Sequence, residues 1–288
     1  MKSIHVLAPA KLNLTLDILG VRPDGYHALD MLMQTVSVYD ELTITQGCGW
    51  GLSCRNDTGE AISDVPCDSR NLAWRAAECF FRAAGIAGSA QIDVVKRIPS
   101  QAGMAGGSAD AAAVLRALNE LNGDPFSISE LCKLSEQCGS DVPFCVLGGT
   151  ARVGGRGEVL CAEPTGTVQH YTIVKPPFGI STPRLFALSD RSPVSRHPDA
   201  DAMLRALRAD DPEAAGALLC NVLEEVALRE HPEIEDIGRA LLDAGACGAR
   251  MTGSGSAVFG IFRSEAEAKA ANETLKSSKY SVFYAHSV

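Results

Sequence analysis

"IPSQAGMAGGSADAAAVLRALNEL", Ile98 to Leu121, is the stretch on which the reading of this chain turns. Gly103, Gly106 and Gly107 crowd into it, and an alanine-rich run follows at once. Glycines let backbone N–H groups turn inward on a small anion, and a helix N-terminus adds favourable partial charge. Both features of a phosphate-holding loop are present. The same pattern also describes a tight turn that lets a helix pack closely. No Lys-Ser/Thr pair follows, so this is not a Walker loop, and G-x-G-x-x-G is absent. Ser108 stands at the helix mouth, where it either caps the helix or turns its hydroxyl to a phosphate or Mg²⁺. The loop alone does not separate the two readings.

Outward from it, helix formers dominate from Ser108 to Leu121, with Leu115, Leu118 and Leu121 at helical spacing, until "NGDP" breaks the run. Ser127 and Glu130 form a capping-box pattern for the next helix, with Gly139 as its expected end. Upstream, "SRNLAWRAAECFFRAAG" reads as a helix stopped by Gly85. "KLNLTLDIL" alternates like a half-buried strand, and "ELTITQ" and "QIDVVK" are β-branched strands. After "GGTARVGGRGE" the composition shifts. "HYTIVKP" is a strand, and residues 200–245 are rich in Ala, Leu and Glu, with Pro212 and Pro232 at first helical positions. "SAVFGIF" and "KYSVFYA" close the chain as strands. The pattern is α+β, with a joint expected near residues 150–165.

A length of 288 residues favours two domains over one. The hydrophobic fraction of 46% and charged fraction of 21% are those of a folded, soluble protein. A net charge of −9 argues against a nucleic-acid or anionic-membrane surface, though not against one small anionic ligand held by a few placed groups. None of the ten cysteines forms a Cys-x-x-Cys pair, so buried thiols in a reducing compartment are expected rather than zinc or disulfides. Lys11, Asn13 and Asp17 interrupt any signal-like apolar run at the N-terminus, and the expected location is the cytoplasm.

Two further stretches bear on the glycine loop. "MTGSGSAVFG", Met251 to Gly260, is a second glycine turn ahead of a strand. Alone it reads as a hairpin turn. "APAKLNLTLDILGVRPDGYHALDMLMQTVSVYDEL", Ala8 to Leu42, places Lys11 and Asn13 in an amphipathic strand and then offers the polar turn "RPDGYH". A strand lysine is usually solvated, and an Asp-Gly turn is usually only a turn. Together, in this order and spacing, the three stretches resemble the three motifs of the GHMP kinases. "GSDVPF" (Gly139–Phe144) and "GISTPRLF" (Gly179–Phe186), with "RPDGYH", are similar to the branch that phosphorylates a cytidine-diphosphate-linked methylerythritol. The resemblance runs from Ala8 to about Phe262.

It implies a two-domain GHMP kinase fold. A ribosomal-protein-S5-domain-2-like nucleotide domain would span residues 1–155, and a ferredoxin-like α+β domain residues 156–288, whose last strand could return to the first. It implies ATP as co-substrate and a step of the non-mevalonate route to isoprenoid precursors. Pro99, Gly103, Met104, Ala105, Gly106, Gly107, Ser108 and Ala109 match the loop around the ATP phosphates, and Asn71 and Lys96 match residues bordering the adenine. Asn71 fits a helix cap equally well. Asp141 matches the catalytic aspartate, which takes or orients the hydroxyl proton, an effect worth about 10²–10⁴-fold. Lys11 matches the lysine that keeps this aspartate ionised and offsets charge on the moving phosphoryl group. Asn13, Tyr26, His27, Thr182 and Phe186 match the substrate side, with Tyr26 and Phe186 suited to sandwich a cytosine and His27 to bond its edge.

The loop departs from many relatives at Ala105, where they carry glycine, and at Ala109, where they carry a second serine. Ala105 is expected at negative φ, since only then is its side chain unstrained. No acidic cluster announces a metal site, so Mg²⁺ is expected to arrive with the nucleotide, without a named protein ligand. The alternatives are a GHMP kinase for homoserine or mevalonate, a GHMP-fold ligand sensor without catalysis, and an α+β protein whose glycine turns only pack. Oligomeric state is left open.

Overall fold

The computed structural model describes every residue except Met1, Ala61, Ser63, Asp64, Pro193 and Ser278. The chain begins with β1 (Lys2–Val21), β2 (His27–Gln46), β3 (Gly51–Arg55), α1 (Leu72–Ala84) and β4 (Ala90–Val95). There follow α2 (Gly106–Leu121), α3 (Ile128–Ser135), α4 (Val142–Leu147), β5 (Thr150–Gly155), β6 (Val159–Ala162) and β7 (His170–Lys175). Next come α5 (Thr182–Ser189), α6 (Ala200–Arg208), α7 (Pro212–Leu218), β8 (Cys220–Asn221) and α8 (Val222–Glu230). The chain closes with α9 (Glu233–Asp243), β9 (Gly248–Met251), β10 (Val258–Phe262), α10 (Glu265–Leu275) and β11 (Ser281–His286).

These elements gather into two compact units that interleave along the chain. One takes the N-terminal residues through Ala10, then Val38–Ile98 and Ala105–Gly148. The other takes Lys11–Ser37, Pro99–Met104 and Gly149–Val288. The glycine stretch therefore changes unit at Ala105.

In the first unit the end of β2 pairs antiparallel with β4, from Glu41↔Val95 to Gln46↔Ala90, and β3 pairs parallel with β4. Helix α2 packs on α1 and α4. Alanines on α2 allow this closeness, and Phe80 on α1, Leu115 and Leu118 on α2 and Phe144 on α4 are buried. Asn71 caps α1 through Ala73 N at 2.9 Å, and Gly85 stops it in the left-handed conformation. The Ser127–Glu130 capping box is present. Helix α3, however, ends at Ser135 rather than at Gly139, because the chain turns there to start α4.

The second unit carries an antiparallel four-stranded sheet in the order β11-β7-β10-β9, covered by α9 and α10. It also holds the pairing of β2 with β5 (Leu29↔Gly155 to Gln34↔Thr150) and the parallel contact of β1 with β8. Pro212 opens α7, and Pro232 sits one position earlier than expected, at the cap of α9. β1 is not the half-buried strand its alternation suggests. Ala10 to Asp17 are buried on both faces, so the polar residues Lys11, Asn13, Thr15 and Asp17 are inside the protein. Buried polar groups require partners, and those partners define the site.

Candidate functional site

The first half of the glycine stretch is held by its carbonyls. The Gln101 carbonyl accepts from Ser256 N at 3.2 Å, Ala102 from Ala257 N at 3.2 Å and Met104 from Lys11 N at 3.2 Å. The Thr252 hydroxyl reaches the Gly103 carbonyl at 3.4 Å. Four consecutive carbonyls are thus taken by β1 and the turn after β9. In a trans peptide the carbonyl and the next N–H point opposite ways, so the amides of Ala102 to Ala105 face away from these partners. Gln101, Gly103 and Ala105 have φ of 51°, 72° and 58°, and neither Ala102 nor Met104 has a positive φ. An alternating backbone of this kind builds an anion-binding concavity.

The second glycine turn belongs to the same assembly. Thr252, fully buried, accepts from Asn13 N at 3.0 Å while reaching Gly103. The Asn221 amide spans the turn, donating to the carbonyls of Met251 and Gly253 at 2.8 Å each. A Cβ on Gly253 would lie 2.9 Å from the Gly103 carbonyl and 3.0 Å from Lys11 Nζ. The stretch is the hairpin connection from β9 to β10, as read from the sequence, and its glycine Gly253 is in addition a close-approach position. Lys11, 3% exposed, donates to the Asn13 side-chain oxygen. The Lys11 side chain thus ends against the second glycine turn, beside the Asn13 amide oxygen.

The residues matched to the acceptor side cluster in this unit as well. "RPDGYH" is a turn between β1 and β2, with Gly25 at φ 82°. His27 stacks on Phe186, ring centroids 4.8 Å apart, and its Nε2 meets Asp190 Oδ1 at 2.6 Å. With a proton on Nε2 given to Asp190, Nδ1 becomes an acceptor. Tyr26 is half exposed, with the Arg156 guanidinium 5.3 Å from its ring centroid. The Thr182 hydroxyl lies 2.6 Å from that of Ser254, in the glycine turn.

In the first unit, Gly106, Gly107 and Ser108 open α2, whose ladder begins with Ala109 N bonding the Ala105 carbonyl at 2.9 Å. Their N–H groups precede that ladder, as at any helix start. Ser108 does not cap α2, because Ala105 occupies the cap position. The expectation of a negative φ at Ala105 is also overturned. It sits at φ 58°, ψ 32°, held there by its own helical carbonyl bond and by buried Met104 before it. Asp141 stands at the start of α4, where Pro143 fixes the first turn, and is partly exposed.

Lys96, matched to the adenine border, is enclosed by two acids that sequence reading overlooked. Its ammonium bonds Asp40, and Asp110 at 2.6 Å, with the three side chains 8%, 0% and 4% exposed. Burial would lower the lysine, but Asp110 and Asp40 outweigh it and raise its pKa. Thr252, Asn221, Asp40 and Asp110 share one reason for escaping notice. Each acts through a partner distant in sequence, which no local pattern names, even where the residue itself lies inside a glycine stretch, as Thr252 and Asp110 do. Among the described residues no three His, Cys, Asp or Glu side chains converge as a metal site, and no helix is long and apolar enough to cross a membrane.

A model of the GHMP kinases N terminal domain matches residues 71–149, and one of the GHMP kinases C terminal matches residues 203–281. A 4-diphosphocytidyl-2-C-methyl-D-erythritol kinase of Pelotomaculum thermopropionicum is 44% identical over 262 residues, 90% of this chain and 88% of that one. Its counterpart in Clostridium kluyveri is 38% identical over 284 residues, 98% and 99% of the two chains. Among solved structures, a 4-(cytidine 5′-diphospho)-2C-methyl-D-erythritol kinase superposes with TM-score 0.81 at 32% identity, covering 99% of each chain. A homoserine kinase from Cytophaga hutchinsonii shares the fold, with TM-score 0.78 at 19% identity over 100% and 95%. Fold and loop define an ATP-dependent small-molecule kinase of the GHMP class. Within that class, the chain belongs to the 4-diphosphocytidyl-2-C-methyl-D-erythritol kinases.

Proposed function

We propose that this kinase transfers the γ-phosphate of ATP to the 2-hydroxyl of 4-diphosphocytidyl-2-C-methyl-D-erythritol, a step of the methylerythritol phosphate route to isoprenoids. The observation that supports it most is the set of four loop carbonyls held from one side, which turns the amides of Ala102 to Ala105 toward a phosphate chain. Pro99 to Ala109 wraps the triphosphate, and the amides at the start of α2 take the charge that spreads over the transferring group. Asn71 and Lys96 border the adenine.

Asp141 receives or orients the proton of the acceptor hydroxyl. Lys11 offsets the charge that grows on the acceptor oxygen and the moving phosphoryl. On the acceptor side, Tyr26 and Phe186 offer flat faces to the cytosine, His27 Nδ1 accepts from its amino group, and Asn13 and Thr182 bond the remaining polar groups. Mg²⁺ arrives on the nucleotide, held by phosphate oxygens and water, and lowers the charge that the loop has to hold. The enzyme works in the cytoplasm on small molecules, without nucleic acid or membrane, and the sequence modules divide at residues 155 and 156.

The test is ADP release with Mg-ATP and a panel of this acceptor, homoserine, mevalonate and a blank, with Asp141→Asn alongside. Turnover with the cytidylyl acceptor alone, reduced about 10²-fold or more in the variant, is expected. Turnover with another acceptor refutes the substrate. A fully active variant refutes the role of Asp141.

A further inference from the structure

The buried cluster of Asp40, Lys96 and Asp110 is poorly explained as a device for stability. Two carboxylates share one ammonium, and Asp110 Oδ1 is buried without a hydrogen-bond partner. Apolar side chains of similar volume commonly stabilise such a site as well or better. Its distinguishing property is what it connects. Asp40, on β2, accepts through Oδ1 from Arg97 N at 2.6 Å and Ile98 N at 2.8 Å, the last two residues before the loop. Asp110 lies in the first turns of α2, immediately after the loop. Lys96 joins the two acids, and a Cβ on Gly106 would sit 3.4 Å from its Nζ and 3.0 Å from Ile98 Cγ2. The loop's entry and exit are therefore gripped by one set of charges.

We propose that Asp40, Lys96 and Asp110 are positioning residues that fix the two ends of the phosphate loop, and that Lys96 serves nucleotide binding through this network rather than by touching the base. The proposal rests on the reading of the loop as the triphosphate site. With two of the three N–H donors of the Lys96 ammonium given to Asp40 and Asp110, at most one is left for a neutral adenine edge. A loop whose ends shift by about 1 Å presents its amides in the wrong places, a misplacement that costs about 10- to 100-fold.

The experiment compares wild type with Lys96→Met and Asp110→Asn. It reads the midpoint of thermal unfolding with and without Mg-ATP, KM for acceptor, and kcat/KM with ATP and with GTP. The network predicts that Lys96→Met raises KM for ATP about 10- to 100-fold, with the ATP-to-GTP preference and KM for acceptor unchanged. Asp110→Asn, which keeps an oxygen for Lys96, moves the same parameter less and stands in for Lys96→Met should that variant not fold. A changed ATP-to-GTP preference places Lys96 on the base and overturns the proposal. A lower midpoint without nucleotide, with KM for ATP unmoved, reduces the cluster to a structural one and also overturns it. Failure of ATP to raise the wild-type midpoint refutes the loop reading itself, a result separable from failure of the network.

Discussion

The two halves of the glycine stretch are held by different physics. From Gln101 to Met104 the backbone rests mainly on backbone, with the Thr252 hydroxyl on the Gly103 carbonyl, and the tightest point is Gly103, where a Cβ would lie 2.0 Å from the Thr252 carbonyl. From Gly106 to Asp110 the chain is already helical, and charge holds it through Lys96 and Asp40. Contact between backbones tolerates no added atom, whereas an ionic grip tolerates shape changes but responds to charge and pH. The contrast teaches that glycines a few positions apart are required for unlike reasons.

The largest effect should come from Gly103→Ala, compared with Gly107→Ala. Gly103 combines φ 72° with a carbonyl in the way, while the nearest atom to a Cβ on Gly107 is Leu72 Cδ1 at 3.9 Å. Without nucleotide, urea unfolding should show Gly103→Ala destabilised by about 2–4 kcal/mol. Gly107→Ala should be neutral or gain up to about 1 kcal/mol from the helix propensity of alanine. Equal losses in the two variants would remove the distinction between the halves.

How far the sequence revealed this arrangement can be judged from the same residues. Helices α1 and α2, the strand pattern and the turn "RPDGYH" follow from local signals of spacing, caps and glycine, which act over a few residues. The motif resemblance brought Lys11, Asn13 and the two glycine stretches to notice, and the structure joins them through Thr252. What stayed hidden depends on long-range pairing. Asp40 carries no local signal, and only when the chain after β4 is laid beside β2 do two amides converge on its carboxylate. The two-sided burial of β1 from Ala10 to Asp17 was invisible for the same reason, since its alternation describes one exposed face that other segments of the chain cover. The positive φ of Ala105 ran against a sound local preference, because the helix start and buried Met104 impose it.

A smaller effect tests the ionic half. Burial pushes the Asp110 carboxyl up to about 7, against the pull of Lys96 and with the push of Asp40. Its unfolded value lies near 3.9. Between those values the folded protein keeps a proton that the unfolded chain has lost, so this group's contribution to stability declines as pH rises through the window. Below about pH 4 the penalty is absent, and above about 7 it is complete. Nearby Cys54, pushed up to about 12 chiefly by burial, remains a thiol throughout. Asp110→Asn should therefore gain on wild type by on the order of 2 kcal/mol between pH 5 and pH 8, measured by urea unfolding. Parallel pH profiles for the two proteins would mean that charge does not govern this half.

The smallest effect lies at the junction, where Ala105 ends one kind of support and begins the other. An alanine in the left-handed region costs about 1–2 kcal/mol. Glycine there loses that strain but gives the unfolded chain extra freedom, worth about 0.4–1 kcal/mol. Ala105→Gly should consequently be no less stable than wild type and up to about 1.6 kcal/mol more so. Because carbonyl contacts fix the loop before it and the ladder from its own carbonyl fixes the helix after it, KM for ATP should change less than threefold, a shift below about 1 kcal/mol. A variant that is clearly less stable, or that loses ATP affinity tenfold, would mean that the alanine methyl itself braces the loop. The support would then pass through Ala105 rather than dividing there.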